Sequence, residues 1–295
     1  MTAAPRLAPI FRVALWMVGT FTSLLSMAVA GRELAAEITI FQLLFWRGVV
    51  GLAVIMLLFQ VTGGWRHLRT QKFATHGARS VVHLGAQYAW FYAIAFIPLA
   101  EVFALEFTTP IWTLILAALI LGERITVVRV AAVILGFAGV LIILRPGISP
   151  VGLPQIAALL SALGFAFSTY VMTRRLMRTD TPLTMLFWMV AIQTPLALLA
   201  GLDAWVWPAG WSWGWIAVVG VGSLTAHYCM ARALSLVDAN VVVPMDFFRL
   251  PLAVLVGWLA YAEIIDIWVA LGAVVIFAGN YLNVRAETRK TRQAQ

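Results

Sequence analysis

The sequence predicts an all-α polytopic membrane protein with ten transmembrane helices. Of its 295 residues, 63% are hydrophobic and only 11% are charged, whereas a soluble domain is about 25% charged. A bilayer core about 30 Å thick requires roughly 20 apolar residues for each spanning helix. Ten such stretches fill the chain and leave no length for a separate soluble catalytic domain.

The ten apolar stretches follow one another with short polar connections. We expect helices at residues 11–31, 39–61, 76–96, 98–121, 127–145, 150–173, 182–201, 211–234, 239–261 and 266–285. Each stretch is long enough to cross the hydrocarbon core at a rise of 1.5 Å per residue. The chain is therefore predicted to be one integral membrane domain surrounded by lipid.

The net charge of +8 reflects basic residues in the connections, so it predicts membrane orientation and not nucleic-acid binding. With the N-terminus in the cytoplasm, only Arg32 and Arg145 of the loop cations fall on the opposite side. Both termini are then expected to face the cytoplasm of a bacterium, with the protein in its inner membrane. The sixteen predicted cytoplasmic cations are Arg6, Arg12, Arg66, Arg69, Lys72, Arg79, Arg124, Arg129, Arg174, Arg175, Arg178, Arg232, Arg285, Arg289, Lys290 and Arg292.

The chain contains a repeat with a spacing of about 140 residues. Because each half, residues 1–145 and 146–295, holds an odd number of helices, the second half must enter the membrane from the opposite side. Inverted repeats are typical of secondary transporters. The matched pairs are Gly122-Glu123 with Ala262-Glu263, Phe137-Ala138-Gly139 with Phe277-Ala278-Gly279, Arg145 with Arg285, Glu106 with Asp246 and, after a two-residue slip, Phe45-Trp46 with Phe187-Trp188.

The end of each half carries a set of short motifs. In the first half these are Pro110-Ile111-Trp112, Leu121-Gly122-Glu123-Arg124 and Gly136-Phe137-Ala138-Gly139-Val140. In the second half they are Val243-Pro244, Arg249-Leu250-Pro251, Glu263 and Ala278-Gly279. With these motifs the chain resembles the EamA-type branch of the drug/metabolite transporter superfamily, and the resemblance covers nearly the whole chain.

This resemblance implies ten helices around a central cavity lined by helices 1, 3, 4, 6, 8 and 9. It implies a secondary transporter of small metabolites working by alternating access. The aromatic-rich interior suggests the branch that exports aromatic and other neutral amino acids. Import of a vitamin or nucleoside-like metabolite is the alternative, and an intramembrane enzyme or a scaffold would belong to other classes.

Three ionisable residues stand out in helices 4 and 9. An ionisable side chain in a membrane helix is costly and usually faces a cavity or a partner. Glu106 and Asp246 occupy equivalent positions, and nearby prolines such as Pro110 and Pro251 free backbone carbonyls. These acids are predicted to bind an amine or a proton, although Asp246 could instead pair with Arg249 at i,i+3. Arg249 could also hold a substrate carboxylate.

Polar and aromatic residues of other helices are further cavity candidates. The helical spacing places His83, Gln87 and Trp90 on one face of helix 3. The remaining candidates are aromatic or imidazole side chains suited to a planar substrate, and they could equally serve only to pack helices: Trp16, Trp112, Tyr170, His227 and Tyr228. Arg47 lies in helix 2, outside the implied cavity, and is expected to be structural.

No motif for nucleotide binding or hydrolysis is present in the sequence, so transport energy is expected to come from gradients. Cys229 is the single cysteine, and no spacing of His, Cys and carboxylates predicts a metal site. We therefore expect no cofactor and no enzyme activity. The expected partners are a small-molecule substrate and the lipid bilayer, with no nucleic acid, and the expected state is a monomer or weak homodimer.

Overall fold

A computed structural model describes residues 7–123, 125–237, 239–264 and 266–293. It confirms the all-helical class, with ten helical spans that we number α1 to α10. The spans α4 and α9 each consist of two segments, labelled a and b. Their bounds are α1 Leu7–Ala35, α2 Ile40–Thr62, α3 Phe73–Phe96, α4a Leu99–Glu106, α4b Thr109–Leu121, α5 Val127–Leu144, α6 Leu153–Leu176, α7 Pro182–Gly201, α8 Ser212–Leu234, α9a Ala239–Asp246, α9b Arg249–Tyr261 and α10 Ile267–Gln293.

Eight of the described spans, including the two-part α4, are long and apolar enough to cross a membrane. The other two are α3 and α9, and of α9 only the 13-residue segment α9b counts as a shorter apolar helix. The span α3 is more polar than its neighbours because its interior face carries a polar stripe. The buried side chains of this stripe are His76, Arg79, Ser80, His83 and Gln87.

The breaks in α4 and α9 lie 140 residues apart, as the repeat requires. Each break follows an acid, Glu106 or Asp246, and the next segment carries proline in its first turn, Pro110 or Pro251. A proline in the first turn of a helix cannot donate a backbone hydrogen bond to the preceding segment. Continuous helices were expected at residues 98–121 and 239–261, and the structure shows interrupted ones.

The span α6 departs from the expected regular helix. Its middle third, Ala166–Met172, is π-helical, between α-helical turns at Leu153–Phe165 and Thr173–Leu176. Such wide turns are rare in α-helices and are frequent at functional sites. The π-helical segment changes the direction of Ser168 and Tyr170 relative to the rest of α6.

Helix pairing reveals the two-fold relation between the halves. The largest contacts join α1 to α8, α3 to α6, α2 to α7 and α5 to α10. Exchanging the halves turns the first pair into the second and leaves the other two unchanged. Because five spans separate equivalent helices, the exchange also reverses their direction through the membrane. We call the membrane side where α1 begins and α10 ends the terminal side, and the opposite side the far side.

The crossing of α5 and α10 shows the same symmetry at atomic scale. A Cβ atom on Gly139 would lie 2.6 Å from the Gly272 carbonyl oxygen, and one on Gly279 would lie 2.9 Å from the Ala132 carbonyl oxygen. Residues 132 and 139 are the repeat equivalents of residues 272 and 279. Glycine at these positions lets the two backbones touch, as small residues commonly do in membrane helix pairs.

Candidate functional site

A cluster of three charged side chains lies where the breaks of α4 and α9 meet. Glu106 ends α4a, Asp246 ends α9a and Arg249 begins α9b. Arg249 Nη1 donates to Glu106 Oε1 at 3.2 Å, and Arg249 Nη2 lies 3.6 Å from Asp246 Oδ2. We call these three residues the charged centre. It joins the two halves through one guanidinium.

Aromatic side chains enclose the charged centre. The Trp90 indole donates to Glu106 Oε2 at 2.8 Å. The Arg249 guanidinium is buried and lies 5.0 and 4.9 Å from the ring centroids of Phe103 and Phe107. These contacts hold Arg249 by cation–π attraction as well as by its carboxylates.

The local pair of Asp246 with Arg249 that the sequence suggested is present, but Arg249 lies closer to Glu106. Glu106, which has no partner nearby in sequence, obtains one from the opposite half. Two carboxylates share one guanidinium, so the centre carries a formal charge of −1 when all three groups are ionised. Asp246 Oδ1 is buried without a hydrogen-bond partner among the described residues. The centre can therefore accept one more proton or cationic group.

A second polar group surrounds His83 on α3. Ser168 of the π-helical segment donates its hydroxyl proton to the Gly164 carbonyl. His83 Nδ1, 3.0 Å from Ser168 Oγ, must therefore be the donor in their contact. His83 Nε2 is then an acceptor, and it is buried with no partner among the described residues. Arg79 donates to the Ser168 and Met185 carbonyls and so links α3 to α6 and α7.

His227 and Tyr228 of α8 line a cavity of about 250 Å³ between α2, α7 and α8. Arg47 and Gln193 line the same cavity. Arg47 was expected to be structural because the family resemblance places helix 2 outside the cavity, but here it lines this smaller one. Sequence patterns offered no signal for Gln193 because a glutamine in an apolar stretch carries no charge and no motif.

The other candidate residues lie at different places in the fold. Tyr228 also packs edge-on against Trp16 of α1, with ring centroids 5.7 Å apart. Tyr170, in the π-helical segment of α6, is half exposed. Gln87 is buried beside Trp90 on α3, and its Oε1 lacks a partner in the described part of the chain. Trp112 packs on Phe137 of α5 at 5.3 Å, away from the charged centre.

Two ion pairs, equivalent by the repeat, lie at opposite ends of the protein. On the far side, Arg32 of α1 pairs with Glu263 after α9, and their side chains are 15% and 14% exposed. On the terminal side, Arg174 of α6 pairs with Glu123 after α4, with exposures of 65% and 21%. Equivalent contacts are thus closed to solvent at one end and open to it at the other.

The far-side pair has additional backbone contacts. Arg32 also donates to the Ile94 and Ile97 carbonyls, and its guanidinium lies over the Tyr261 ring at 4.6 Å. Glu263 accepts a hydrogen bond from the Leu99 backbone N–H at 2.9 Å. These bonds tie α1, α3, α4a and α9b together at the far side.

The profile of the EamA-like transporter family matches residues 11–145 and again residues 153–285. The chain belongs to the EamA-like transporter family. This assignment confirms the predicted superfamily, the repeated five-helix architecture and a multi-pass membrane transporter of small metabolites, not an enzyme. Each of the two family matches covers one half of the helix pairing described above.

Several relatives of this EamA-like transporter are named for the small metabolite that they carry. A riboflavin transporter of Vibrio cholerae is 31% identical over 83% of this chain and 82% of the relative. An S-adenosylmethionine uptake transporter of Rickettsia prowazekii is 23% identical over 88% of each chain. A crystal structure at 20% identity superposes with a TM-score of 0.62, covering 94% of this chain and 98% of its own. The crystal structure supports the fold alone.

The far-side ion pair should be more strongly coupled than its terminal-side equivalent. In a double-mutant cycle with Arg32→Ala and Glu263→Ala, we expect a coupling of about 1–3 kcal/mol, because both groups are largely desolvated. The cycle with Arg174→Ala and Glu123→Ala should give less than about 1 kcal/mol, since solvent screens that pair. Thermal unfolding of the purified protein in detergent measures both. Equal couplings would contradict the asymmetry.

Proposed function

We propose that this EamA-like transporter carries riboflavin across the inner membrane of a bacterium by alternating access. The observation that carries this proposal is the charged centre, which is shared by two interrupted helices from opposite halves. Interrupted helices expose polar backbone and side chains at the depth where transporters bind their substrates. The similarity to a riboflavin transporter supports the choice of substrate.

Alternating access follows from the equivalence of the two halves. If the halves exchange conformations, the pair Arg32–Glu263 opens while Arg174–Glu123 becomes buried. A substrate bound at the charged centre would then be open to the opposite side of the membrane. The energy would come from the gradient of the substrate or of a coupled ion, because the chain carries no nucleotide-binding motif.

Riboflavin fits the aromatic interior better than a small neutral amino acid does. Its isoalloxazine system is planar, uncharged and rich in hydrogen-bonding groups. Tyr170 and Tyr228, which are both more than half exposed, offer ring faces and hydroxyl groups to such a molecule. The relatives described above are named for riboflavin and S-adenosylmethionine, so they favour import of a vitamin or nucleoside-like metabolite over the amino-acid export suggested by the sequence.

S-adenosylmethionine is the second candidate substrate, and the charge of the site favours it specifically. Its sulfonium and ammonium groups are cations, and the charged centre has one carboxylate in excess. Asp246, with its unpartnered Oδ1, could hold either cation. A direct comparison of the two substrates distinguishes a flavin site from a cation site.

Both termini are proposed to face the cytoplasm, which makes the terminal side the cytoplasmic one. Arg79, counted with the cytoplasmic cations, is buried within α3, and Arg6 and Arg124 lie outside the described residues. The excess of cations on the terminal side persists without them. A phosphatase reporter fused after Gln295 should be inactive in cells, since this enzyme works only in the periplasm. Activity of the fusion would show that the C-terminus lies in the periplasm, which is the opposite orientation.

Riboflavin counterflow tests the substrate. Proteoliposomes preloaded with unlabelled riboflavin should accumulate labelled riboflavin faster than protein-free liposomes with the same preload. The reason is that a transporter with bound riboflavin changes between its two open states and so exchanges internal for external riboflavin. Excess external riboflavin should abolish the signal, whereas S-adenosylmethionine and phenylalanine should leave it unchanged. If riboflavin exchange is no faster than in protein-free liposomes, riboflavin is not the substrate. If S-adenosylmethionine is exchanged instead, the second candidate is the substrate.

The charged centre should be required for this transport. Glu106→Gln removes one of the two carboxylates that Arg249 binds, and we expect riboflavin counterflow to fall about tenfold or more, the effect of losing one charge-assisted contact. The protein should remain folded because Asp246 still neutralises Arg249. The matched control is Glu101→Gln on the same segment α4a, where the side chain accepts a bond from Gln155 at 3.2 Å. Equal rates in both variants would exclude Glu106 from transport.

A further inference from the structure

The cavity between α2, α7 and α8 contains an arginine without an anion. Arg47 makes no ion pair or hydrogen bond with any residue that the structure describes, and its Nε is buried. An arginine at this depth in a membrane helix costs about 2.5–3.5 kcal/mol on insertion scales, so it usually has a partner. The residues lining this cavity include no carboxylate. Among the described residues, Arg47 is therefore free to bind an acceptor group of a ligand.

Two acceptors face the same cavity as Arg47. His227 Nδ1 lies 2.7 Å from the Ser223 carbonyl oxygen, which can only accept, so Nδ1 carries the proton and Nε2 has a free lone pair. Gln193 donates its amide to the Ser80 carbonyl at 3.1 Å, which leaves its Oε1 as an acceptor. Neither free atom has a partner within the described part of the chain.

This arrangement selects the chemistry of the ligand. A bare carboxylate would satisfy Arg47 but would bring its negative charge against the lone pairs of His227 and Gln193. A group that presents carbonyl oxygens on both sides of an N–H satisfies Arg47 and one of the two acceptors, because the carbonyls accept from Arg47 and the N–H donates to His227 or Gln193. This pattern of acceptor, donor and acceptor is the ureide edge of a pyrimidinedione ring.

The cavity also suits a flat ring in size and shape. Its volume of about 250 Å³ is smaller than the roughly 300–1,000 Å³ of a site that encloses a whole drug-sized ligand. It can therefore hold the ring head of a substrate, with the remainder outside the cavity. The Tyr228 ring lines the wall and is more than half exposed, which provides a face for stacking.

The remaining polar groups connect this cavity to the interior. Gln193, which lines the cavity, donates its amide to the carbonyl of Ser80, a member of the polar stripe of α3. The cavity therefore borders the polar face of α3, which continues through Gln87 to Trp90 and the charged centre. A substrate with its ring head against Arg47 could direct its other end along this polar face.

We infer that the cavity is the subsite that reads the pyrimidinedione edge of the flavin ring. In this inference, Arg47 donates to a ring carbonyl, and His227 Nε2 or Gln193 Oε1 accepts from the ring N–H. The inference rests on the proposed riboflavin transport and adds the orientation of the substrate. It makes Arg47, Gln193 and His227 determinants of specificity.

The probe for this subsite is 3-methylriboflavin, in which a methyl group replaces the hydrogen of the ring N–H. With the wild-type protein in proteoliposomes, 3-methylriboflavin should inhibit riboflavin counterflow about tenfold or more weakly than riboflavin itself, because a buried acceptor loses its donor. This measurement needs no variant, so it holds whether or not the substitutions below fold.

Variants then assign the contacts. His227→Phe removes the acceptor and keeps a planar ring, so the preference for riboflavin over 3-methylriboflavin should decrease severalfold. Arg47→Gln should raise the KM for both flavins by about tenfold, the effect of losing a charged donor. The control is Arg145→Gln, which removes an arginine that pairs with Asp266 at 2.6 Å on the far side and should leave the preference intact.

The outcomes separate this inference from the proposed function. Riboflavin counterflow with equal inhibition by both flavins would overturn the subsite while leaving riboflavin transport standing. An unchanged preference in His227→Phe together with an unchanged KM in Arg47→Gln would place flavin recognition elsewhere and would also overturn it. Absence of riboflavin counterflow in the wild type would remove the proposed function, and the subsite with it.

Discussion

The protein depends on one buried guanidinium that serves two carboxylates from opposite halves. Charges inside a bilayer must be paired or face a cavity, so Glu106, Asp246 and Arg249 can exist only if the breaks of α4 and α9 meet. That requirement fixes the relative depth of the two halves. It also leaves one carboxylate in excess, which gives the interior a negative end.

The opposite end of the interior is basic. Arg47, Arg79, His83 and His227 lie among α2, α3 and α8, and Ser168 of the π-helical segment of α6 contacts His83 at 3.0 Å. A substrate between the two groups would meet acceptors and cations at one end and an acidic, aromatic environment at the other. This polarity would orient a molecule during transport.

Symmetry and asymmetry have separate roles in this fold. The helix pairs, the two breaks and the glycine contacts of α5 and α10 obey the repeat closely. The equivalent ion pairs do not, since both members of Arg32–Glu263 are largely buried whereas Arg174, paired with Glu123, is 65% exposed. Equivalent halves in unequal environments are what alternating access requires, because exchange of the two environments moves the opening from one side to the other.

The sequence by itself determined the ten helices, the inverted repeat and the family, because hydropathy and a fixed spacing depend on local residues alone. It also identified Glu106, Asp246 and Arg249, since charges in apolar stretches are conspicuous. Only the tertiary structure decided their partners: Arg249 reaches Glu106 across 143 positions of sequence. It also decided the complete breaks, the π-helical segment and the cavity of Arg47 and Gln193, because these depend on which helix faces cross, and hydropathy does not record that.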